Sequence, residues 1–125
     1  MSHILPEHDL DLSFLYEIAD GSDEFIVESI DMFLQQTPDL LGTITTAIDS
    51  KDWTLAAQAA HKLKPNLGFF GMPISQATIQ EVELMAKAGA PEPDALIAKF
   101  NEVKALIEPN LDRLVKIKAD KEAGL

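Results

Sequence analysis

The chain has no cysteine in its 125 residues. Disulfide bonds, thiolate nucleophiles and zinc sites built on cysteine are therefore excluded, and this composition fits the cytoplasm. Long hydrophobic runs are also missing: no stretch of 18 apolar residues occurs, and the first residues have neither the basic start nor the apolar run of a signal peptide. We therefore expect a soluble, cytoplasmic protein that is neither exported nor inserted into a membrane.

Positive charge is scarce: 10 lysine and arginine residues stand against 21 acidic ones, which gives a net charge of -11. Such a surface repels nucleic acid and anionic membranes, so the expected partners are proteins or small molecules. The chain is long enough to bury one core, and 46% of its residues are hydrophobic. We expect a monomer with a single domain over residues 1–125 and an ordered core over about 9–118.

Acidic residues are in turn absent from one segment, between Trp53 and Gln80. An even spread of the 21 acids would place about five of them there. In the middle of this gap lie His61, Lys62 and Lys64. The local charge therefore reverses sign around one histidine.

Apolar residues recur at spacings of three and four along nearly the whole chain, and strict alternation is absent, which predicts an all-α fold. We predict helices over about 12–19, 22–48, 53–70, 73–88 and 94–118, with a charged, frayed tail beyond. Short connections favour antiparallel neighbours. The expected architecture is an antiparallel up-and-down four-helix bundle with a short additional N-terminal helix packed across one end.

Single residues predict where these helices begin, bend and face the core. Ser22 and Asp52 are expected to cap the second and third helices, and Pro38 should kink or divide the second. Leu15 and Ile18 should face inward from the first helix. The buried stripe of the third helix is predicted to consist of Ala56, Ala60, Leu63, Leu67 and Phe70.

His61 lies one residue off this buried stripe, so its side chain is expected to face solvent. It shares its face of the helix with Ala57, Lys64, Pro65 and Gly68, most of which are small or compact. A large, flat protein surface could therefore reach the imidazole, and neutral imidazole is a nucleophile toward phosphorus. A phosphoryl group would add close to two negative charges, which Lys64 could contact from one helical turn away.

The segment HKLKPNLGFFGM, with His61, Lys64, Gly68 and Gly71, resembles the signature of the histidine-containing phosphotransfer (HPt) domain. The preceding segment DLSFLYEIADGSDEFIVESIDMFLQQTPDLL is similar to the region before the histidine helix in that family. The resemblance implies a four-helix bundle in which His61 is the phosphoacceptor and Lys64 its electrostatic helper.

The resemblance also implies the partners. His61 would take a phosphoryl group from the receiver domain of a hybrid sensor histidine kinase and pass it to the receiver domain of a response regulator. The domain would have no kinase activity, no metal site and no cofactor of its own, because the acidic residues and the Mg²⁺ belong to the receiver. An acid-free rim around His61 would favour docking of an aspartate-rich site.

Two further positions follow from the same resemblance. Family members commonly carry a glutamate or glutamine 22 residues past the histidine, where it can hydrogen-bond near the imidazole; here that residue is Glu83. Pro65 stands where the family usually has glycine. Because proline removes an amide that would bond to the carbonyl of His61, the helix should bend locally.

Other interpretations remain open at this point. A mid-helix histidine is most often an ordinary surface residue. A metal-binding or enzymatic bundle is disfavoured, because no Glu-x-x-His pair occurs and His3 and His8 lie in a segment expected to be mobile. A helical adaptor could dock a receiver domain without being phosphorylated. In either docking role, the apolar contacts are expected around Ala57, Leu67 and Phe69.

Overall fold

The computed structural model describes residues 4–5 and 8–125 and is almost entirely helical over them. His3 lies outside the described residues. Two short strands, β1 (Ile4–Leu5) and β2 (Leu10–Asp11), pair antiparallel near the N-terminus. The helices that follow are α1 (Ser13–Ala19), α2 (Asp23–Asp49), α3 (Trp53–Phe69), α4 (Pro73–Lys87) and α5 (Pro93–Ala123).

The residues at the helix ends explain most of these boundaries. The hydroxyl oxygen of Ser22 accepts a hydrogen bond from the amide of Phe25 at 3.1 Å, and a carboxylate oxygen of Asp52 accepts one from Leu55 at 3.1 Å. Both predicted caps are therefore present, and each satisfies an amide that has no partner within its own helix. Pro73 is the first residue of α4, where its fixed φ suits the first helical turn.

The four long helices surround a single hydrophobic core. α2 packs against α3 and α5, and α4 packs against the same two helices, while α1 packs against α2. The all-helical fold is thus confirmed, whereas the antiparallel up-and-down order stays a prediction. The predicted stripe of α3 is buried throughout, and the largest fully buried side chains of the core include Leu15, Ile30, Ile44, Leu63, Leu67, Ile79, Leu96, Ile107 and Leu114.

Several sequence expectations about the helices are wrong. α2 runs as one helix on both sides of Pro38, so a division into two helices is wrong, whereas a kink at this residue stays a prediction. Leu15 is buried as predicted, but Ile18 is 50% exposed, since α1 has only seven residues and touches the bundle along one narrow stripe. α5 continues past Lys118 to Ala123, where Lys121 forms an ion pair with Asp23 of α2 at 3.3 Å.

The segment just before β2 is anchored to two helices that lie far from it in sequence. The buried carboxylate of Asp9 accepts hydrogen bonds from the amides of Ile74 and Ser75 and from the Ser75 hydroxyl, at 2.7–2.8 Å. The side-chain amide of Asn110 donates to the carbonyls of His8 and Asp9. The expectation that His8 lies in a mobile segment is therefore wrong. Asp9 caps α4, which has no side-chain cap of its own.

Gly71 lets the chain pass close to β2 before α4 begins. Its φ of +65° lies in the left-handed region, and its carbonyl accepts a hydrogen bond from the amide of Asp11 at 2.8 Å. A Cβ atom at this position would lie 1.7 Å from the carbonyl oxygen of Asp11. Only glycine fits here without a backbone shift. The helix that carries His61 is thereby joined to α4 in a fixed geometry.

Within residues 4–5 and 8–125, none of the helices combines the length and the hydrophobicity of a membrane span.

Candidate functional site

His61 lies on the solvent side of α3, and 67% of its side chain is exposed. Its position follows from the helical period: Ala60 on the neighbouring stripe is fully buried, so a residue one position further along turns out of the core. The exposure predicted from the sequence is therefore found. The imidazole can be reached from solvent while its helix remains fixed by the core.

The imidazole is held by a carboxylate from the neighbouring helix. Nδ1 of His61 lies 2.9 Å from Oε2 of Glu83, which is carried by α4. An ionised carboxylate can only accept a hydrogen bond, so Nδ1 carries the hydrogen in this contact. In the neutral ring, the lone pair is then on Nε2. The contact fixes both the orientation and the tautomer of the ring.

Glu83 is buried, with 2% of its surface exposed, yet two lysines and the imidazole surround its carboxylate. Nζ of Lys64 donates to Oε1 at 2.8 Å, and Nζ of Lys87 lies 3.0 Å from Oε2, the oxygen that also contacts His61. Burial alone would raise the pKa of Glu83, but the hydrogen bonds from the two lysines and the imidazole outweigh burial and lower this pKa to about 2. Glu83 is therefore ionised at neutral pH.

Gly68 lies two helical turns beyond His61 and is covered by a side chain from α4. The amide nitrogen of Gln76 donates to the backbone carbonyl of Lys64 at 3.3 Å. A Cβ atom on Gly68 would lie 2.6 Å from this nitrogen, so a larger residue would displace Gln76. The absence of a side chain at Gly68 thus keeps the surface beyond His61 low and lets α3 and α4 approach closely.

Two hollows lie on this side of the protein. An open groove of about 560 Å³ runs between α3 and α4 and is bordered by Ala57, His61 and Lys87. A second hollow of about 440 Å³, which Phe14 and Gly68 help to line, lies where α1 meets the α3–α4 connection. The imidazole therefore lies at the edge of a groove that is open to solvent.

A model of the Hpt domain family matches residues 28–115, which include the histidine helix and both lysines that contact Glu83. The chain belongs to the Hpt domain family. The crystal structure of the HPt domain from an Hpt sensor hybrid histidine kinase from Shewanella has a similar fold, with a TM-score of 0.62 and 24% identity over 94% of each chain. No curated protein matches the chain.

In this Hpt domain the structure brings three of the sequence-predicted site residues, His61, Lys64 and Glu83, into one hydrogen-bonded cluster. Of the other predicted site residues, Ala57 is buried, Gly68 is half-buried beside Gln76, and Pro65 is exposed within a helix that continues through it. Hpt domains are phosphotransfer intermediates and not kinases. Within the described residues, no three histidine, aspartate or glutamate side chains are grouped so that they could hold a metal ion.

Two of the residues expected on an apolar docking surface are buried, and one residue of the cluster was not predicted. Ala57 is 5% exposed and belongs to the core, because it lies beside the buried stripe of α3. Leu67 was expected to contribute to an apolar docking surface, but it is fully buried and belongs to the core stripe of α3. Phe69 remains partly buried and packs edge-to-face against Phe14 of α1. Lys87 was not identified, although its spacing of four residues after Glu83 is typical of a helical ion pair.

Proposed function

We propose that this protein is a phosphorelay intermediate of two-component signalling, in which His61 carries the phosphoryl group. The donor would be the aspartyl phosphate of a receiver domain in a hybrid sensor histidine kinase, and the acceptor would be the aspartate of a response-regulator receiver domain. Membership of the Hpt family supports a phosphorelay role. The observation that carries the proposal is the exposed imidazole whose Nδ1 is bonded to an ionised, buried carboxylate.

The transfer step needs no proton to leave the site. Nε2 of His61 attacks phosphorus, and the N–P bond forms while the P–O bond of the aspartyl phosphate breaks and the aspartate leaves as a carboxylate. The hydrogen on Nδ1 stays in place, so the product is a phosphorylated ring with a positive charge beside Glu83. This charge is opposite to that of the carboxylate, which stabilises it. Transfer to the second receiver reverses the same step.

Lys64 is the residue proposed to stabilise the phosphoryl group. It lies one helical turn after His61 on the same helix, so its ammonium group can reach the space beside the ring. In the unphosphorylated structure this group is bonded to Glu83 at 2.8 Å. The new phosphoryl group would bring close to two negative charges, a stronger attraction for a lysine than one carboxylate. We therefore expect Lys64 to turn from Glu83 to the phosphoryl oxygens.

The remaining components of the reaction are proposed to belong to the partner. A receiver domain would bring the Mg²⁺ ion and the aspartates, and this protein would supply neither a metal nor a cofactor. Docking would take place on the face around His61, with Pro65 and Gly68 as contact positions, whereas Ala57 is buried beneath this face. Because no acid occurs between Trp53 and Gln80, the histidine helix itself would not repel an aspartate-rich partner.

Labelling by a phosphorylated receiver domain tests this function. A receiver carrying radioactive phosphate should transfer an acid-labile, alkali-stable label to the wild-type protein and to a His8→Gln control. The His61→Gln variant should remain unlabelled, because no other ring is proposed to be nucleophilic. Binding of the receiver without any label would favour the adaptor function, and label that persists in His61→Gln would exclude His61 as the acceptor.

A further inference from the structure

The two lysines that contact the carboxylate of Glu83 come from different helices. Lys64 belongs to α3 and contacts Oε1, whereas Lys87 belongs to α4, the helix of Glu83 itself, and contacts Oε2. Oε2 is also the oxygen that lies beside Nδ1 of His61. The carboxylate of Glu83 is therefore contacted by Lys64 from the histidine helix and by Lys87 from its own helix. Lys87 and the imidazole contact the same carboxylate oxygen.

This difference matters once His61 is phosphorylated, and the argument here rests on the function proposed above. If Lys64 turns to the phosphoryl group, Glu83 loses its contact on Oε1. A buried carboxylate left without enough partners is costly, and it would then tend to take up a proton or move toward solvent. In either case the hydrogen bond to Nδ1 would be lost when the ring carries its positive charge.

We propose that Lys87 is a positioning residue that keeps Glu83 ionised and bonded to Nδ1 of phosphorylated His61 after Lys64 has turned to the phosphoryl group. A glutamate followed by a lysine four residues later on the same helix forms a favourable ion pair, and this pair does not depend on the position of a neighbouring helix. Lys87 is also the last residue of α4, where the negative end of the helix dipole favours a cation. Both features hold Lys87 beside Glu83 whichever way Lys64 points.

The site thus divides two tasks between two lysines. Lys64 changes its partner during the phosphorylation cycle, whereas Lys87 keeps the same partner throughout. In the unphosphorylated protein either lysine alone would be enough to hold the carboxylate against Nδ1. In the phosphorylated protein only Lys87 would be left for this task, so removal of Lys87 should have a consequence that depends on the state of His61.

NMR of the imidazole hydrogen tests the proposal directly. His61 can be phosphorylated with phosphoramidate, from which ammonia leaves as the N–P bond forms, so no receiver domain is required. The Nδ1 hydrogen is then followed by ¹H–¹⁵N spectra before and after phosphorylation, in wild type, Lys87→Met, Lys87→Arg and Lys64→Met. Lys99→Met is the matched control, because Lys99 also pairs with a glutamate of α4, Glu81 at 3.3 Å, on an exposed surface.

Before phosphorylation, the protected Nδ1 hydrogen should be visible in every variant. After phosphorylation it should be lost in Lys87→Met and kept in Lys64→Met, Lys99→Met and Lys87→Arg. The equilibrium of phosphoryl transfer between a receiver and Lys87→Met should shift about tenfold toward the phosphorylated receiver, the size expected when the phosphorylated ring loses one charge-assisted hydrogen bond. Loss of the signal in both states, or in neither, would overturn the proposed role of Lys87.

The two proposals fail in distinguishable ways. If phosphoramidate labels His61 and the variants show this pattern, but no receiver domain transfers phosphate, the role of Lys87 stands and the relay function falls. If receivers label His61 normally while Lys87→Met keeps the Nδ1 hydrogen after phosphorylation, the relay function stands and the role of Lys87 falls. If neither phosphoramidate nor a phosphorylated receiver labels His61, Nε2 is not the phosphoacceptor and both proposals fall.

Discussion

Replacement of Glu83 by glutamine removes a buried negative charge while keeping the size of the side chain. In the wild-type protein this carboxylate accepts hydrogen bonds from Lys64, Lys87 and His61. The amide of Glu83→Gln can still accept a hydrogen bond from Nδ1, but it leaves the two lysines without a charged partner. We expect the variant to be less stable at neutral pH and to lose one component of the pH dependence of unfolding.

The size of this component follows from the two pKa values of Glu83. Its pKa is about 2 in the folded protein and about 4.3 in an unfolded chain, a difference equivalent to about 3 kcal/mol. Because the folded-state pKa is the lower one, the stabilisation is fully present well above pH 4.3 and is lost as the pH falls toward 2. Roughly half of it should be gone at pH 3.

Urea unfolding of both proteins at pH 7, 5, 4 and 3 measures the effect. All other carboxyl groups are shared, so the difference in unfolding free energy between wild type and Glu83→Gln isolates this residue. Below pH 5 the difference should shrink continuously. Glu81→Gln is the control on the same helix: Glu81 is 52% exposed, so its effect should stay within about 0.5 kcal/mol. A difference for Glu83→Gln that is independent of pH would refute the reasoning.

Three further changes have defined outcomes. Gly71→Ala should lower the unfolding free energy by about 2–4 kcal/mol, because it adds left-handed backbone strain and a clash with β2. Gly42→Ala should raise the unfolding free energy by about 0.5–1 kcal/mol, because an added Cβ there meets nothing within 4 Å. Equal effects of the two variants in thermal unfolding would contradict this reasoning. Asp9→Ala removes three hydrogen bonds, two of them buried, and should lower the unfolding free energy in urea by about 3 kcal/mol, against about 1 kcal/mol for the ordinary cap variant Ser22→Ala. A cost for Asp9→Ala no larger than that for Ser22→Ala would show that α4 does not need this cap. Pro65→Gly should keep phosphorylation of His61 in the labelling assay, because residue 65 is exposed and both residues are compact; loss of transfer would show that the proline backbone itself is required.

The predictions that succeeded depend on neighbours within about one helical turn. Ser22 and Asp52 cap helices through contacts three residues away. The burial of Leu63 and Leu67 and the exposure of His61 follow from the 3.6-residue period alone. The errors arose where packing between elements competes with local preference. α2 passes through a proline without dividing because its two halves share one core, and the short α1 leaves Ile18 outside it.

The sequence by itself thus determined the helices, their buried faces, the charge reversal around His61 and the resemblance that indicated phosphotransfer, because each of these is a local pattern. Only the tertiary structure decided that the carboxylate of Glu83 is buried against His61 and Lys64 of the neighbouring helix, and that Asp9 caps a helix 65 residues further along the chain. These contacts depend on the distance and rotation between packed helices, which spacing within a single helix does not specify.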